Sequence, residues 1–136
     1  MKKTIFSRIL DGELPARLVF QDEICAAFLS IHPLRPGHTL VVPRLPVAHW
    51  IDLPSDILTH IMGMAQQLAR VLAHAFPCEK VGLVIAGFEV QHVHLHVVPA
   101  NAAQDLDFAQ ANIHPDPAAL DANLTLIQAA WLRRGS

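Results

Sequence analysis

The sequence has no long apolar run, no basic tract and only two cysteines. No stretch approaches the roughly 20 apolar residues that cross a bilayer, and charged residues interrupt the opening segment. We therefore expect neither a membrane span nor a signal peptide. Because no basic residues alternate with aromatic ones, we expect no binding to a long nucleic acid. Cys25 and Cys78 are isolated and form no Cys-x-x-Cys pair, which predicts free thiols in a cytoplasmic protein.

The composition predicts one folded domain spanning residues 1–136. Apolar residues make up 52% of the chain and charged residues 16%, a balance that excludes disorder. The net charge is −2 with neutral histidines. A small nucleotide remains compatible with this charge, because one phosphate needs a few donors rather than a basic surface.

Hydrophobic periodicity and turn residues predict an α+β fold. The predicted elements are a short helix at 4–11, strands at 17–21, 24–30 and 39–42, a long helix at 54–76, strands at 80–85 and 90–98, and a helix at 118–132. Neighbouring strands joined by short turns pair antiparallel. We therefore expect an antiparallel sheet of about five strands, with the long helix covering its apolar face.

The most informative motif is the run Gln91-His92-Val93-His94-Leu95-His96-Val97-Val98-Pro99. Side chains of a strand point alternately to opposite faces. The apolar residues of the run would then face the long helix. The three histidines would share the other face and look toward solvent, a ligand or a partner.

Three interpretations of this run are open. The histidines could be polar residues on an exposed strand, although strict alternation with apolar residues is not expected by chance. Two of them could bind zinc, but the Cα atoms of His92 and His96 would lie about 13 Å apart. A shared ion would therefore need sharp curvature, and we expect no metal. In the third interpretation the middle imidazole attacks a phosphorus atom and its neighbours hold the phosphate oxygens.

The run resembles the His-φ-His-φ-His-φ-φ signature of the histidine triad (HIT) superfamily, where φ is apolar. Two upstream blocks are also similar to that family. They are Thr4–Ala16, which resembles its N-terminal helix and following turn, and the central pair Ala27–Pro33 and Pro36–Pro43. The matching region spans about 4–99, and the tail at 100–136 carries no matching motif.

The resemblance implies a nucleotide hydrolase or phosphoramidase, without a cofactor, that cleaves nucleoside monophosphate esters or phosphoramidates at the α-phosphate. It implies that His94 forms a nucleotidyl-histidine intermediate, that His92 and His96 flank it, and that His38 supports the site. It also implies an AMP-like purine nucleotide as substrate and a homodimer. The implied substrate-binding positions are Ile5, Phe6, Ile9, Phe28, Leu29, Ser30, Ile31 and Val90.

Three departures from the family pattern affect these expectations. Thr4 and Ser7 stand where many members carry the cysteines of a structural zinc site, so we expect no such zinc. Ser30 replaces a ribose-binding aspartate, and a hydroxyl offers a weaker hydrogen bond than a carboxylate. Phe88 and Glu89 replace polar residues that contact the scissile phosphate and leaving group. The alternatives are therefore a nucleotide-binding protein with little turnover, a nucleotidyltransferase or dinucleoside polyphosphate hydrolase, or a zinc hydrolase.

Overall fold

The computed structural model describes residues 3–135, so the ends of the predicted domain, residues 1–2 and 136, lie outside it. The elements are α1 (Ile5–Leu10), β1 (Leu18–Gln21), β2 (Cys25–Leu29), β3 (Thr39–Pro43), α2 (Ser55–Ala75), β4 (Lys80–Val84), β5 (Leu95–Ala100) and α3 (Pro117–Arg133). Short 3₁₀ turns occupy Trp50–Asp52, Ala103–Leu106 and Phe108–Gln110. Within residues 3–135, no helix combines the length and apolar character needed to cross a membrane.

The five strands form one sheet in the order β1-β2-β3-β5-β4, and every neighbouring pair is antiparallel. This confirms the predicted α+β class and the antiparallel five-stranded sheet. The central pair places Leu40 beside His96 and Val41 beside Leu95. Strand β4 lies at one edge of the sheet, where only one of its sides is paired within the chain.

The two faces of the sheet have different partners. On one face, α2 and α3 pack over a large core that includes Val93, Leu95 and Val97. Alternate residues of the histidine run therefore enter the core beneath the long helix, as the period of two predicts. On the opposite face, α1 contributes Phe6 to a smaller cluster with Phe28.

Strand β5 is shorter than predicted, because it begins at Leu95 rather than at Val90. Pro43 ends the neighbouring strand and has no N–H for the ladder. Its carbonyl oxygen lies 2.7 Å from Nε2 of His92 and accepts from that ring instead of from a strand amide. The backbone near His92 bonds elsewhere: the Val93 N–H donates to the Val47 carbonyl at 2.8 Å. Residues 85–94 consequently form a loop that carries two of the three histidines.

The tail after β5 packs back onto the domain. Leu106 lies over Gly82 of β4, where an added Cβ would come within 2.8 Å of a leucine methyl. Trp131 of α3 stacks on Phe20 of β1 with ring centroids 4.4 Å apart. The tail therefore packs against both edge strands of the sheet, β1 and β4.

Candidate active site

Four histidines from two segments meet on the α1 face of the sheet. His92 and His94 come from the loop before β5, His96 from β5 itself, and His38 from the residue before β3. The exposed fractions are 0% for His92, 2% for His38 and 6% for His94, and His96 is half-buried. In the folded chain α1 and the tail contact this face. Of the three expected environments, solvent, a ligand or a partner, open solvent is therefore not the one that His92, His38 and His94 meet.

His92 has both ring nitrogens occupied. A carbonyl oxygen can only accept, so Nε2 must carry the proton in its 2.7 Å bond to Pro43. Nδ1 therefore accepts, and the Thr4 hydroxyl donates to it at 2.7 Å. The same hydroxyl oxygen caps α1 by accepting from the Ser7 N–H at 3.0 Å. Thr4 thus connects the start of α1 directly to the histidine run.

His94 has one nitrogen hydrogen-bonded and one without a protein partner among residues 3–135. Nδ1 lies 2.8 Å from the backbone carbonyl oxygen of His92, so Nδ1 carries the proton. The lone pair of this neutral imidazole is then on Nε2. A neutral imidazole with its lone pair on Nε2 and its tautomer fixed by a backbone carbonyl is arranged as a nucleophile or a base.

His38 and His96 form a chain of donors that begins at the backbone. The Leu34 N–H donates to Nδ1 of His38 at 2.9 Å, so the proton of His38 is on Nε2. That Nε2 lies 2.9 Å from Nδ1 of His96 and donates to it. The neutral His96 ring therefore carries its proton on Nε2, a donor suited to an anionic oxygen.

All four histidines are held in the neutral form near pH 7. Burial, followed by the charge of His94, lowers the pKa of His38 to about 4. Burial, followed by His38 and His94, lowers the pKa of His96 to about 3. Burial also lowers the pKa of His92 and of His94, against the opposing effect of their bonds to backbone carbonyls. The protonation pattern derived from the hydrogen bonds is therefore the pattern at neutral pH.

Two phenylalanines bracket the histidines. The Phe6 ring stands edge-on to His94 with centroids 4.9 Å apart and to His92 with centroids 5.9 Å apart. At the other end, Phe108 of the tail stands edge-on to His96 at 4.7 Å. Edge-to-face aromatic pairs prefer this spacing, so both contacts hold imidazole planes in fixed orientations.

The residues that the resemblance assigns to substrate binding fall into three groups. Phe6, Ile9, Phe28 and Val90 pack together in the small cluster beside the histidines. Ile5 and Ile31 expose 47% and 62% of their surface. Leu29 is the third case: its side chain enters the large core beneath α2, on the face of the sheet opposite the histidines.

Ser30 directly follows β2, is 9% exposed and is hydrogen-bonded to the backbone of His38. Its N–H donates to the His38 carbonyl at 3.0 Å, and its hydroxyl oxygen accepts from the His32 N–H at 3.2 Å. The hydroxyl proton remains free to donate. Ser30 can therefore offer a substrate one hydrogen bond.

The loop before the histidine run carries Phe88 and Glu89, the two residues that depart from the family pattern there. Phe88 is 88% exposed, and Glu89 is exposed beside it. The Glu89 carboxylate acts in the direction that raises the pKa of His94, although burial outweighs it. A negative charge therefore stands within electrostatic reach of the nitrogen arranged to attack.

One group of three potential metal ligands occurs among residues 3–135, away from the histidine run: Asp22, Cys25 and His60. Asp22 accepts from the N–H groups of Ile24 and Cys25 and lies 2.7 Å from Nε2 of His60. Burial raises the pKa of the Cys25 thiol to about 12. The group therefore joins the β1–β2 turn to α2 through bonds that need no ion.

Sequence reasoning missed four partners of the histidines. The Pro43 carbonyl and the Leu34 amide are backbone groups, and no side-chain pattern marks them. Phe108 lies in a polar stretch with no periodicity, so only the folded chain brings its ring to His96. Thr4 stood out only as a replacement for a cysteine, and its bond to His92 gave no sequence signal.

Comparison with known proteins shows which family and which relatives the chain is similar to. A family model described as the HIT domain matches residues 11–103. A HIT-like protein of Methanocaldococcus jannaschii is 36% identical over 105 residues, covering 70% of this chain and 77% of its own length. The adenosine 5′-monophosphoramidase of Saccharomyces cerevisiae is 33% identical over 96 residues, covering 70% of this chain and 61% of its own.

A solved structure agrees over nearly the whole chain. The crystal structure of a zinc-bound histidine triad family protein from Mycobacterium smegmatis superimposes with a TM-score of 0.79 at 28% identity. The match covers 94% of this chain and 92% of that one. Both the fold and the order of its elements are therefore those of that protein's family.

Proposed function

The chain belongs to the HIT domain family, some of whose members are hydrolases, and we propose that it hydrolyses nucleoside monophosphate esters or phosphoramidates at the α-phosphate. The observation that carries the proposal is the lone pair on Nε2 of His94, which is fixed there by the bond from Nδ1 to the His92 carbonyl and meets no protein partner in the described part of the chain. The yeast relative is named for adenosine 5′-monophosphoramidase activity, which supports an AMP-like purine nucleotide as the substrate.

The proposed reaction has two displacement steps. Nε2 of His94 attacks the α-phosphorus, a P–N bond forms, and the bond to the leaving group breaks as that group takes up a proton from solvent. Water then attacks the same phosphorus, cleaves the P–N bond and returns one proton to solvent. The products are the nucleoside monophosphate and the neutral imidazole.

The neighbouring histidines have separate tasks in this scheme. His96 donates from Nε2 to a phosphate oxygen whose negative charge grows in the transition state. His38 keeps that proton on Nε2 by donating to Nδ1 of His96. His92 offers its carbonyl oxygen to His94 and uses both ring nitrogens for support.

Release of AMP from adenosine 5′-phosphoramidate, measured with and without a chelator, tests the proposal. We expect release that survives chelation and falls by about a thousandfold or more in His94→Ala. His114→Ala, which replaces an exposed histidine, is the matched control and keeps the wild-type rate. Loss of activity on chelation would instead support zinc chemistry, and the M. smegmatis relative makes this control necessary.

A nucleotide-binding protein with little turnover is the second candidate. The observations that favour it are the exposed Glu89 carboxylate, which acts electrostatically on His94, and the exposed ring of its chain neighbour Phe88. Tight AMP binding by calorimetry, without release of AMP from phosphoramidate, adenylylated substrates or dinucleoside polyphosphates, would select this alternative. Trapping of a labelled nucleotide on His94 would exclude it.

We also propose that the chain acts as a homodimer in the cytoplasm. The support for a dimer is the open edge of β4, where Leu83 is 43% exposed and Met62 of the adjacent α2 is 38% exposed. The two free thiols, Cys25 and Cys78, fit a reducing compartment. Light scattering tests the assembly, and Leu83→Lys is expected to convert a dimer into monomers.

A further inference from the structure

The segment that follows β5, residues 101–112, lies against the active-site histidines although only its first residues fall within the HIT domain match at 11–103. Its Phe108 ring stands edge-on to His96 with centroids 4.7 Å apart and planes inclined by 66°. Phe108 is 39% exposed, so the ring is anchored on one side only. This contact brings a residue from outside the matched domain to the proposed phosphate donor.

The segment is fixed to the domain at several points. The Asp105 carboxylate accepts from the N–H groups of Asn101 and Ala102 at 2.8 and 3.2 Å, which shapes the turn after β5. Leu106 packs over Gly82 on β4. These contacts hold Phe108 in place without help from a ligand.

The same segment also supports the loop that controls His38. The Asn112 N–H donates to the Pro33 carbonyl at 3.0 Å. The next residue of that loop, Leu34, supplies the N–H that holds Nδ1 of His38. Both members of the His38–His96 pair are therefore braced by one stretch of chain.

Three aromatic rings surround His96. His38 holds Nδ1 through a 2.9 Å hydrogen bond, and the ring of His94 stands 4.7 Å away at 67°. The Phe108 ring contacts His96 as well, with ring centroids 4.7 Å apart. The titratable groups among residues 3–135 that act on His96 are His38 and His94.

We propose that Phe108 is a positioning residue for the proposed reaction, holding the His96 ring so that its Nε2–H is presented to the substrate phosphate. This inference rests on the proposed function for its kinetic consequence, but not for the geometry of the ring. Without the Phe108 ring, water can reach His96 and the His96 ring can adopt other orientations. The donor then spends less time in the productive orientation.

Two readouts test the proposal with Phe108→Ala, Phe108→Leu and the control Ile113→Ala, which truncates an exposed residue just beyond the segment. The first is the ring ¹⁵N spectrum, which distinguishes the two neutral tautomers of each histidine. We expect wild-type His96 to be protonated on Nε2. In Phe108→Ala its signals should shift toward the other tautomer or broaden, while Phe108→Leu and Ile113→Ala resemble wild type.

The second readout is steady-state AMP release from adenosine 5′-phosphoramidate. A donor that spends about a tenth to a half of its time in the productive orientation lowers the rate two- to tenfold, roughly, so kcat should fall by that factor in Phe108→Ala with KM changed less. Phe108→Leu should restore most of the rate. Circular dichroism melting establishes that each variant is folded.

The outcomes separate this proposal from the proposed function. If wild type releases no AMP but His96 changes only in Phe108→Ala, the proposed function fails and the positioning contact stands. If His96 signals and kcat are the same in Phe108→Ala and wild type, the positioning role is overturned. An equal loss in the alanine and leucine variants would also overturn it, because the leucine retains most of the packing.

Discussion

Folding stability should fall steeply as the pH is lowered from about 7.5 to about 5, because two buried histidines must stay neutral. Burial is the main cause that lowers the pKa of His38 to about 4 and that of His96 to about 3. In the unfolded chain both rings titrate near the ordinary value of about 6.5. Between these values the unfolded chain binds protons that the folded chain does not bind, so stability rises with pH.

The magnitude follows from the proton balance. At pH 5 an unfolded histidine is almost fully protonated, which stabilises the unfolded chain by about 2 kcal/mol for each ring. His38 and His96 together therefore reduce the free energy of unfolding by about 4 kcal/mol relative to pH 7.5. His92 and His94 contribute in the same direction, since burial lowers the pKa of each. A typical domain is stable by only about 5–15 kcal/mol, so the loss is readily measured.

Urea unfolding followed by the fluorescence of Trp50 and Trp131 measures this loss at each pH. His38→Gln keeps a side-chain N–H for His96 and should reduce the pH effect by about 2 kcal/mol. The matched control His114→Gln replaces an exposed histidine and should retain the full effect. A free energy of unfolding that is level between pH 7.5 and pH 5 would refute the assignment of a neutral, buried histidine pair.

Three further predictions concern single residues at the site. Thr4→Val removes the donor to Nδ1 of His92 and should cost about 1–3 kcal/mol in thermal unfolding, whereas Thr4→Ser should stay near wild type; equal loss in both would contradict the bond. Ser30→Asp should raise the preference for ribonucleotide over 2′-deoxynucleotide by roughly tenfold, measured as the ratio of kcat/KM, and an unchanged ratio would place Ser30 away from the ribose. Glu89→Gln should raise kcat/KM several-fold for a dinucleoside polyphosphate, whose leaving group is anionic, because a repelling charge is removed. The gain should shrink at high salt, and no gain at low salt would show that the carboxylate does not face the leaving group.

The sequence was informative wherever a side-chain pattern determines the structure. Alternation placed Val93 and Leu95 in the core and the histidines on the opposite face, since residues of a locally extended chain keep that alternation even outside the ladder. The boundary of β5 could not be predicted in the same way. It depends on Pro43, whose missing N–H and diverted carbonyl end the ladder on the neighbouring strand.

The sequence also could not predict that other segments cover the histidine face. A histidine surface at period two predicts only that one face is polar, and it does not indicate which distant segments pack on it. Phe6 reaches this face through α1, and Phe108 reaches it through a tail without hydrophobic periodicity. Tertiary contacts between segments far apart in sequence therefore bury a face for which the sequence left solvent, a ligand and a partner open.

The unequal chemistry of the three histidines arises from their hydrogen-bond partners and not from the rings themselves, which are identical. His92 meets a carbonyl at Nε2 and a hydroxyl at Nδ1, so neither nitrogen can attack a substrate or bind a metal unless a hydrogen bond is broken. His94 meets a carbonyl at Nδ1 alone, which leaves the lone pair of Nε2 free. His96 receives a proton donor at Nδ1, which leaves Nε2–H as a donor. Three identical imidazoles therefore become one nucleophile, one hydrogen-bond donor and one support. A change in Thr4 or in the loop that carries Leu34 should alter the chemistry of these histidines although the histidine run itself is unchanged.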